Sequence, residues 1–263
     1  MTKKECYNIF MELRRISLAE GEISYFEAGH GPDLLFLHGA IATSEGYIPL
    51  LTLLAKTYHV IAPIHPGHGP SFSIPKDWKL VDFIRFYQDF LIEISCTPTV
   101  LLGHSFGGTL ALLLAAKGMG SQVIVMDSPG LPFQFELSQY VKALIVEAKE
   151  MIDKRPDLEQ ALETTKAAGT LFQTLARHPD VLFLFTNDGP KFNIHRELSR
   201  IAVPVTIFWG EQDHVVPVEI GHVMEQIIPH AKLTVFPDLG HNYSVTEPDF
   251  TYREIMNVIG DNK

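Results

Sequence analysis

The chemistry this chain can do is concentrated in a serine, an aspartate and a histidine, each on a loop that follows an apolar run of strand length. Ser105 lies in Gly103-His104-Ser105-Phe106-Gly107, after Thr99-Val100-Leu101-Leu102 and ahead of a helical stretch from Gly108 to Lys117 that stops at Gly118. A serine between glycines on a sharp strand-to-helix turn is a nucleophile elbow. Side chains at the glycine positions would crowd the neighbouring backbone, and the strained turn lifts the hydroxyl toward the positive end of the following helix. Asp213 follows Val205-Thr206-Ile207-Phe208-Trp209 in Gly210-Glu211-Gln212-Asp213-His214, and His241 follows Leu233-Thr234-Val235-Phe236 in Asp238-Leu239-Gly240-His241-Asn242. These residue types can run acyl transfer. His241 takes the Ser105 proton and returns it to the leaving group, while Asp213 fixes the imidazole tautomer. Asp127, at the end of Gln122-Val123-Ile124-Val125-Met126, is the rival acid, and Asp238 sits on the approach to the His241 loop.

Strands alternating with helices must carry these loops, which is the pattern of a mostly parallel sheet. Arg15 to Ala19 and Ile23 to Ala28 read as an antiparallel opening hairpin with Glu20-Gly21 at the turn. Leu80, Phe83, Ile84, Tyr87, Leu91 and Ile94 fall at helical spacing, as do Val216, Ile220, Val223, Met224 and Ile227. Thr246 to Ile259 reads as a closing helix, capped by Thr246 ahead of Glu247 and Pro248. The rhythm breaks between 130 and 200, after Pro129-Gly130-Leu131-Pro132. Amphipathic spacing there (Val141, Leu144, Ile145, Ala148 and Ile152, then Leu158, Leu162 and Thr165) predicts a helical cap inserted after the sixth strand. The expected organisation is a core of residues 1–129 and 201–263 with the cap at 130–200. Phe133, Phe135 and Phe172 are candidate pocket residues, although many cap aromatics must pack the cap onto the core.

With Ser105, Asp213 and His241 in that chain order, the sequence resembles the α/β-hydrolase superfamily nearly end to end. The resemblance implies a mostly parallel, eight-stranded sheet with helices on both faces. Leu34-Leu35-Phe36-Leu37-His38-Gly39-Ala40 is similar to the strand and His-Gly turn that supplies part of the family's oxyanion hole. By that resemblance the backbone N–H groups of Ala40 and Phe106 are the donors, and His38 holds the turn at the border of the pocket. Tyr58-His59-Val60-Ile61-Ala62-Pro63 and His65-Pro66-Gly67-His68-Gly69-Pro70-Ser71 resemble the fourth strand and its glycine-rich loop. Here the chain departs, since many relatives carry an aspartate directly after that strand where this one has Ile64-His65. The implied function is a serine hydrolase cleaving a small, largely apolar acyl compound, foremost a carboxylic ester. Carbon–carbon bond hydrolases and cofactor-free haloperoxidase-like members keep the same triad and stay open. A ligand-binding relative with negligible turnover is the alternative of another class. Haloalkane dehalogenases and epoxide hydrolases use an aspartate at the Ser105 position, which sets them aside.

Composition bounds the partners. A net charge of −10 in 263 residues argues against nucleic acid or an anionic membrane surface and leaves a small-molecule acyl substrate. Two cysteines, Cys6 and Cys96, are too few for a disulfide framework. With no signal-peptide run at the N-terminus and no apolar stretch of membrane-spanning length, the expectation is a cytoplasmic protein. The 12 histidines invite a metal reading. His65 and His68, however, are separated by Pro66-Gly67, which no helical ligand pair tolerates, and no cysteine cluster accompanies them. They are expected to anchor their loop, with neither metal nor cofactor. The oligomeric state leaves no mark on the sequence.

Overall fold

Alternation along the strands decides how the helices are laid on the sheet. A computed structural model of the chain describes residues 9–40, 42–133 and 193–260, with Lys142, Ala143 and Val146 from the segment between. Eight strands, β1 (Glu12–Ser17), β2 (Glu22–Ala28), β3 (Asp33–Leu37), β4 (His59–Pro63), β5 (Val100–His104), β6 (Gln122–Met126), β7 (Val205–Gly210) and β8 (Ala231–Phe236), pair in the order β1-β2-β4-β3-β5-β6-β7-β8. β2 is antiparallel to both of its neighbours, and the ladders from β4 to β8 are parallel.

Because successive strand residues point to opposite faces, each strand feeds two cores. Leu35, Leu37, Leu101, Val123, Val125, Ile207 and Trp209 pack on one face with α2 (Leu80–Glu93), α3 (Phe106–Ala116) and, after the short α4 (His195–Leu198), α5 (Glu219–Ile227). Leu34, Phe36, Leu102, Ile124, Met126 and Phe208 pack on the other, against α1 (Ile48–Leu54), α6 (Tyr243–Thr246) and α7 (Pro248–Gly260). Apolar runs buried on both faces are what a parallel sheet covered by helices requires. α3 is buried from Phe106 through Ala115, and its all-round apolar sequence permits this.

Two boundaries differ from the sequence reading. β1 begins at Glu12, before the expected Arg15, because all six of its residues find partners in β2. Thr246 ends the single turn α6 instead of capping the closing helix, which starts at Pro248. Proline suits the first helical position, where its missing N–H would have no intrahelical partner.

The expected cap falls largely outside the described residues, and so do Phe135 and Phe172. Its two ends are described and are tied together, the Ile194 N–H donating to Gly130 O at 3.0 Å. Phe133 is half-buried against the α3 side of the core. Among the described residues no helix is long and apolar enough to cross a membrane.

Candidate active site

Ser105 stands between the last residue of β5 and the first of α3, with φ 51° and ψ −123°. A non-glycine residue there stores roughly 1–3 kcal/mol of strain, which surrounding packing must over-determine. Ser105 N–H donates to Met126 O at 2.8 Å, and Ser105 O accepts from Gly108 N–H at 2.9 Å and from the Ser128 hydroxyl at 3.0 Å. The flanking glycines are required by close approach. A Cβ on Gly103 would lie 2.4 Å from Gly107 O, and one on Gly107 would lie 2.1 Å from Leu37 O. The elbow is thereby pressed onto the end of β3, and Phe106, as the first residue of α3, directs its N–H out of the helix terminus.

Asp213 and His241 meet at the same sheet edge, where the ring of His104, next in sequence to Ser105, packs on His241. The loops after β7 and β8 are laced by Gln212 N–H to Leu239 O at 2.9 Å and by the Gln212 side-chain amide to Asp238 Oδ1 at 3.2 Å. Asp213 Oδ1 accepts the N–H groups of Val215 and Val216 at 2.7 and 2.8 Å, which turns Oδ2 to His241 Nδ1 at 2.7 Å. The Asp213 side chain has no exposed surface and that of His241 is 7% exposed. With Nδ1–H given to the carboxylate, Nε2 is the basic nitrogen, and a buried carboxylate is there to stabilise the imidazolium.

The rival acid has other duties. Asp127 is fully buried with φ 48°, its Oδ1 accepts the Gly210 N–H at 2.8 Å, and Oδ2 lies 4.0 Å from His104 Nε2. It ties the end of β6 to the end of β7.

His104 links the elbow to the His241 loop, and nothing in its spacing announced this. Its Nε2–H donates to His241 O at 2.8 Å, Tyr47 O–H donates to its Nδ1 at 2.6 Å, and its ring packs on His241 with centroids 4.8 Å apart. Burial, and then the neighbouring His241, pushes its pKa down to about 3, so it is a neutral spacer. β5 alternation (Val100 and Leu102 on the α1 side) does put His104 on that face, but no local pattern names Tyr47, 57 residues away, as its partner. His104, Asp127 and His241 also converge closely enough to be weighed as metal ligands. The hydrogen bonds of His104 Nε2 to a carbonyl and of His241 Nδ1 to Asp213 occupy those nitrogens as donors.

The His-Gly turn lies against the elbow, where a Cβ on Gly39 would come within 3.4 Å of Ser105 Cβ. This sets Ala40 and Phe106, the two expected oxyanion donors, on turns that touch. His38 is fully buried, its Nδ1–H donating to Gly39 O at 2.7 Å and its Nε2 accepting His65 N–H at 2.8 Å. With both nitrogens spent on backbone, it holds the turn. His65 and His68, also fully buried, bond the same loops through their rings.

These loops sit in a chain whose residues 34–254 match the alpha/beta hydrolase family model. The chain belongs to that family. The mouse (Mus musculus) monoacylglycerol lipase ABHD6 is 25% identical over 256 residues, covering 88% of this chain and 76% of that protein. A crystallised membrane phospholipase A superposes with a TM-score of 0.80 at 22% identity, over 95% of this chain and 86% of that one. The 2-hydroxy-6-oxo-6-phenylhexa-2,4-dienoate hydrolase of Rhodococcus sp. strain RHA1 superposes with a TM-score of 0.78 at 19% identity, over 95% and 98%. At those identities the superpositions establish the fold. This alpha/beta hydrolase is an enzyme of the hydrolase class, and its substrate is a question for the pocket.

Proposed function

We propose that the protein is a serine hydrolase that cleaves a small, largely apolar acyl compound, foremost a carboxylic ester, through an acyl-enzyme. The observation that carries this reading is the buried Asp213–His241 pair, 2.7 Å between Oδ2 and Nδ1, packed on His104, the neighbour in sequence of a serine held at φ 51°. Ser105 Oγ attacks the carbonyl carbon while His241 Nε2 takes its proton. The Ala40 and Phe106 N–H groups meet the oxyanion, each worth about 10²–10³ in rate. The C–O bond then breaks as His241 protonates the departing alkoxide. Water, deprotonated by His241, releases the acid and regenerates Ser105. The 130–200 segment is assigned to a cap over the site, with Phe133, Phe135 and Phe172 as pocket candidates. The resemblance to a monoacylglycerol lipase favours an ester of a lipid-like acid. The 6-oxo acid hydrolase among the structural neighbours keeps a ketone substrate as the second arm.

The deciding experiment is intact-mass labelling with a fluorophosphonate, followed by ester, monoacylglycerol and diketone panels. The expected result is a single adduct on Ser105, absent from Ser105→Ala, with ester turnover lost in that variant and its melting temperature nearly unchanged. An unlabelled wild-type protein that turns over no substrate of the panels would instead favour a binding role.

A further inference from the structure

Three consecutive carbonyls of the His-Gly turn are each held by a buried imidazole. His38 O accepts the Nε2–H of His65 at 2.8 Å, Gly39 O accepts the Nδ1–H of His38 at 2.7 Å, and Ala40 O accepts the Nε2–H of His68. The three rings are fully buried and packed together, with centroids 3.7 Å apart for His38 and His65 and 5.0 Å for His38 and His68. Their tautomers follow from their partners. His65 N–H donates to His38 Nε2 at 2.8 Å, so the His38 proton is on Nδ1; Tyr87 O–H donates to His65 Nδ1, so the His65 proton is on Nε2.

From this network the structure assigns His65, His68 and Tyr87 as positioning residues that aim the Ala40 N–H at the developing oxyanion. The inference rests on the serine-hydrolase reading above. In a trans peptide the C=O and the N–H point in opposite directions, and no peptide bond among the described residues is cis. Gly39 O and Ala40 N–H belong to one peptide unit. Holding Gly39 O on the histidine side therefore turns Ala40 N–H the other way, the side on which Ser105 lies against Gly39. The preceding peptide shows the same division, with His38 O on His65 and Gly39 N–H bonded to Tyr47 on the side of the elbow.

The bonds also run head to tail. His65 N–H feeds the His38 ring, the ring feeds Gly39 O, and that peptide ends in Ala40 N–H, so each dipole polarises the next toward the site. His65 settles the His38 carbonyl through its own ring, and Tyr87 settles the tautomer of that ring. Burial, and then His68, pushes the His65 pKa down to about 3, so the support stays uncharged at neutral pH. Neutral donors fix the turn without adding a charge that would compete for the oxyanion.

The test uses Tyr87→Phe, which removes one hydroxyl, together with His65→Leu and His65→Gln, whose amide can restore the donor to His38 O. Each is compared with wild type in melting temperature, fluorophosphonate stoichiometry, kcat and KM for p-nitrophenyl acetate, and affinity for a trifluoromethyl ketone, whose hemiketal oxygen occupies the oxyanion position. Misplacing a group by about 1 Å costs about 10²-fold in rate. His65→Leu is therefore expected to lower kcat and ketone affinity together by about that factor, with KM within about threefold, and His65→Gln to regain most of the loss. Tyr87→Phe should lose a smaller factor, about threefold to tenfold, in the same two quantities. Folded variants that match wild type in kcat and ketone affinity would overturn the assignment. If His65→Leu does not fold, Tyr87→Phe decides by the same criterion. A wild-type protein that takes no label and shows no turnover removes the parent reading, whereas a labelled, active wild type with indifferent variants removes only this one.

Discussion

At the carboxyl edge of the sheet the buried rings of His65 and His104 are neutral and donate to carbonyls, whereas at the amino edge the surroundings of His59 favour its charged form and its ring is bonded to carboxylates. His65 and His104 are held down to about 3, by burial and then by the neighbouring imidazoles His68 and His241. His59, at the start of β4, has Nδ1 at 2.8 Å from Asp33 Oδ1 and Nε2 at 2.6 Å from Glu27 Oε1. Burial opposes its charge, but the hydrogen bonds to Asp33 and Glu27 outweigh it and raise its pKa. One side chain serves two ends because the surroundings choose its charge. The amino edge carries an open groove of about 490 Å³, lined by Phe10, Arg14, Glu27 and His59 among others. That groove includes His59 at the start of β4, so it lies at the opposite end of the strands from Ser105, which follows β5. One end of the sheet braces a turn with neutral rings, and the other joins its strands through an imidazole bonded to two carboxylates.

The strongest way to break this comparison is to alter the carboxylate hydrogen-bonded to His241. Asp213→Asn offers Nδ1 an amide and loses the charge behind the imidazolium, and a fall in kcat of about 10³–10⁴-fold is expected. Asp127→Asn keeps an acceptor for the Gly210 N–H, whose bond at 2.8 Å is its visible duty, and should stay within about tenfold of wild type. Steady-state kinetics on one ester separates the two variants. The reverse order would transfer the acid to Asp127 and make the Asp213–His241 pair a structural one.

Acid sharpens the comparison next. In the unfolded chain His65 and His104 titrate near the ordinary 6.5, and in the folded chain at about 3. Between those values the unfolded state binds more protons, so stability falls as pH drops. His104→Gln removes one of these protons and should flatten the slope of unfolding free energy between about pH 6 and 4 by up to about 1.4 kcal/mol per pH unit. Urea titrations at several pH values read the slope directly. An unchanged slope would mean that His104 is not a neutral group held against protonation.

Much of this was legible in the sequence where the signal was local. The elbow, its strand and helix, and the placement of Asp213 and His241 after strands all follow from runs of a few residues, since loop position is set by where an apolar run stops. The start of the closing helix is ambiguous in the sequence because Thr246 and Pro248 are both good openers, and the structure ends the preceding turn at Thr246 and opens the helix at Pro248. His104, Tyr47, Tyr87 and the histidine brace were not legible as a network. Apart from local bonds such as that of His38 to Gly39, their bonds join residues 22 to 137 positions apart, and a histidine that braces a carbonyl has the same local sequence as one in solvent. The departure at Ile64-His65 was visible, and so was the expectation that His65 and His68 anchor a loop. Which loop they anchor required the parallel ladder between β3 and β4.

The smallest expected effect belongs to the amino edge and has the opposite sign in pH. His59 is 28% exposed in its side chain, and its partners Glu27 and Asp33 are 18% and 26% exposed. Its pKa is raised on folding, so its contribution is whole below the unfolded value near 6.5 and is lost as pH rises through the folded one. His59→Gln should therefore cost more stability at pH 6 than at pH 9, by less than about 1 kcal/mol for so partly exposed a cluster. It should leave kcat unchanged, since the ring lies at the far end of β4 from the turn that His65 holds. A cost that grew with pH would show that His59 is neutral when folded. A kcat that moved with it would couple the two edges through β4, and the carboxylate-bonded His59 and the carbonyl-bonded His65 would no longer belong to independent ends of the sheet.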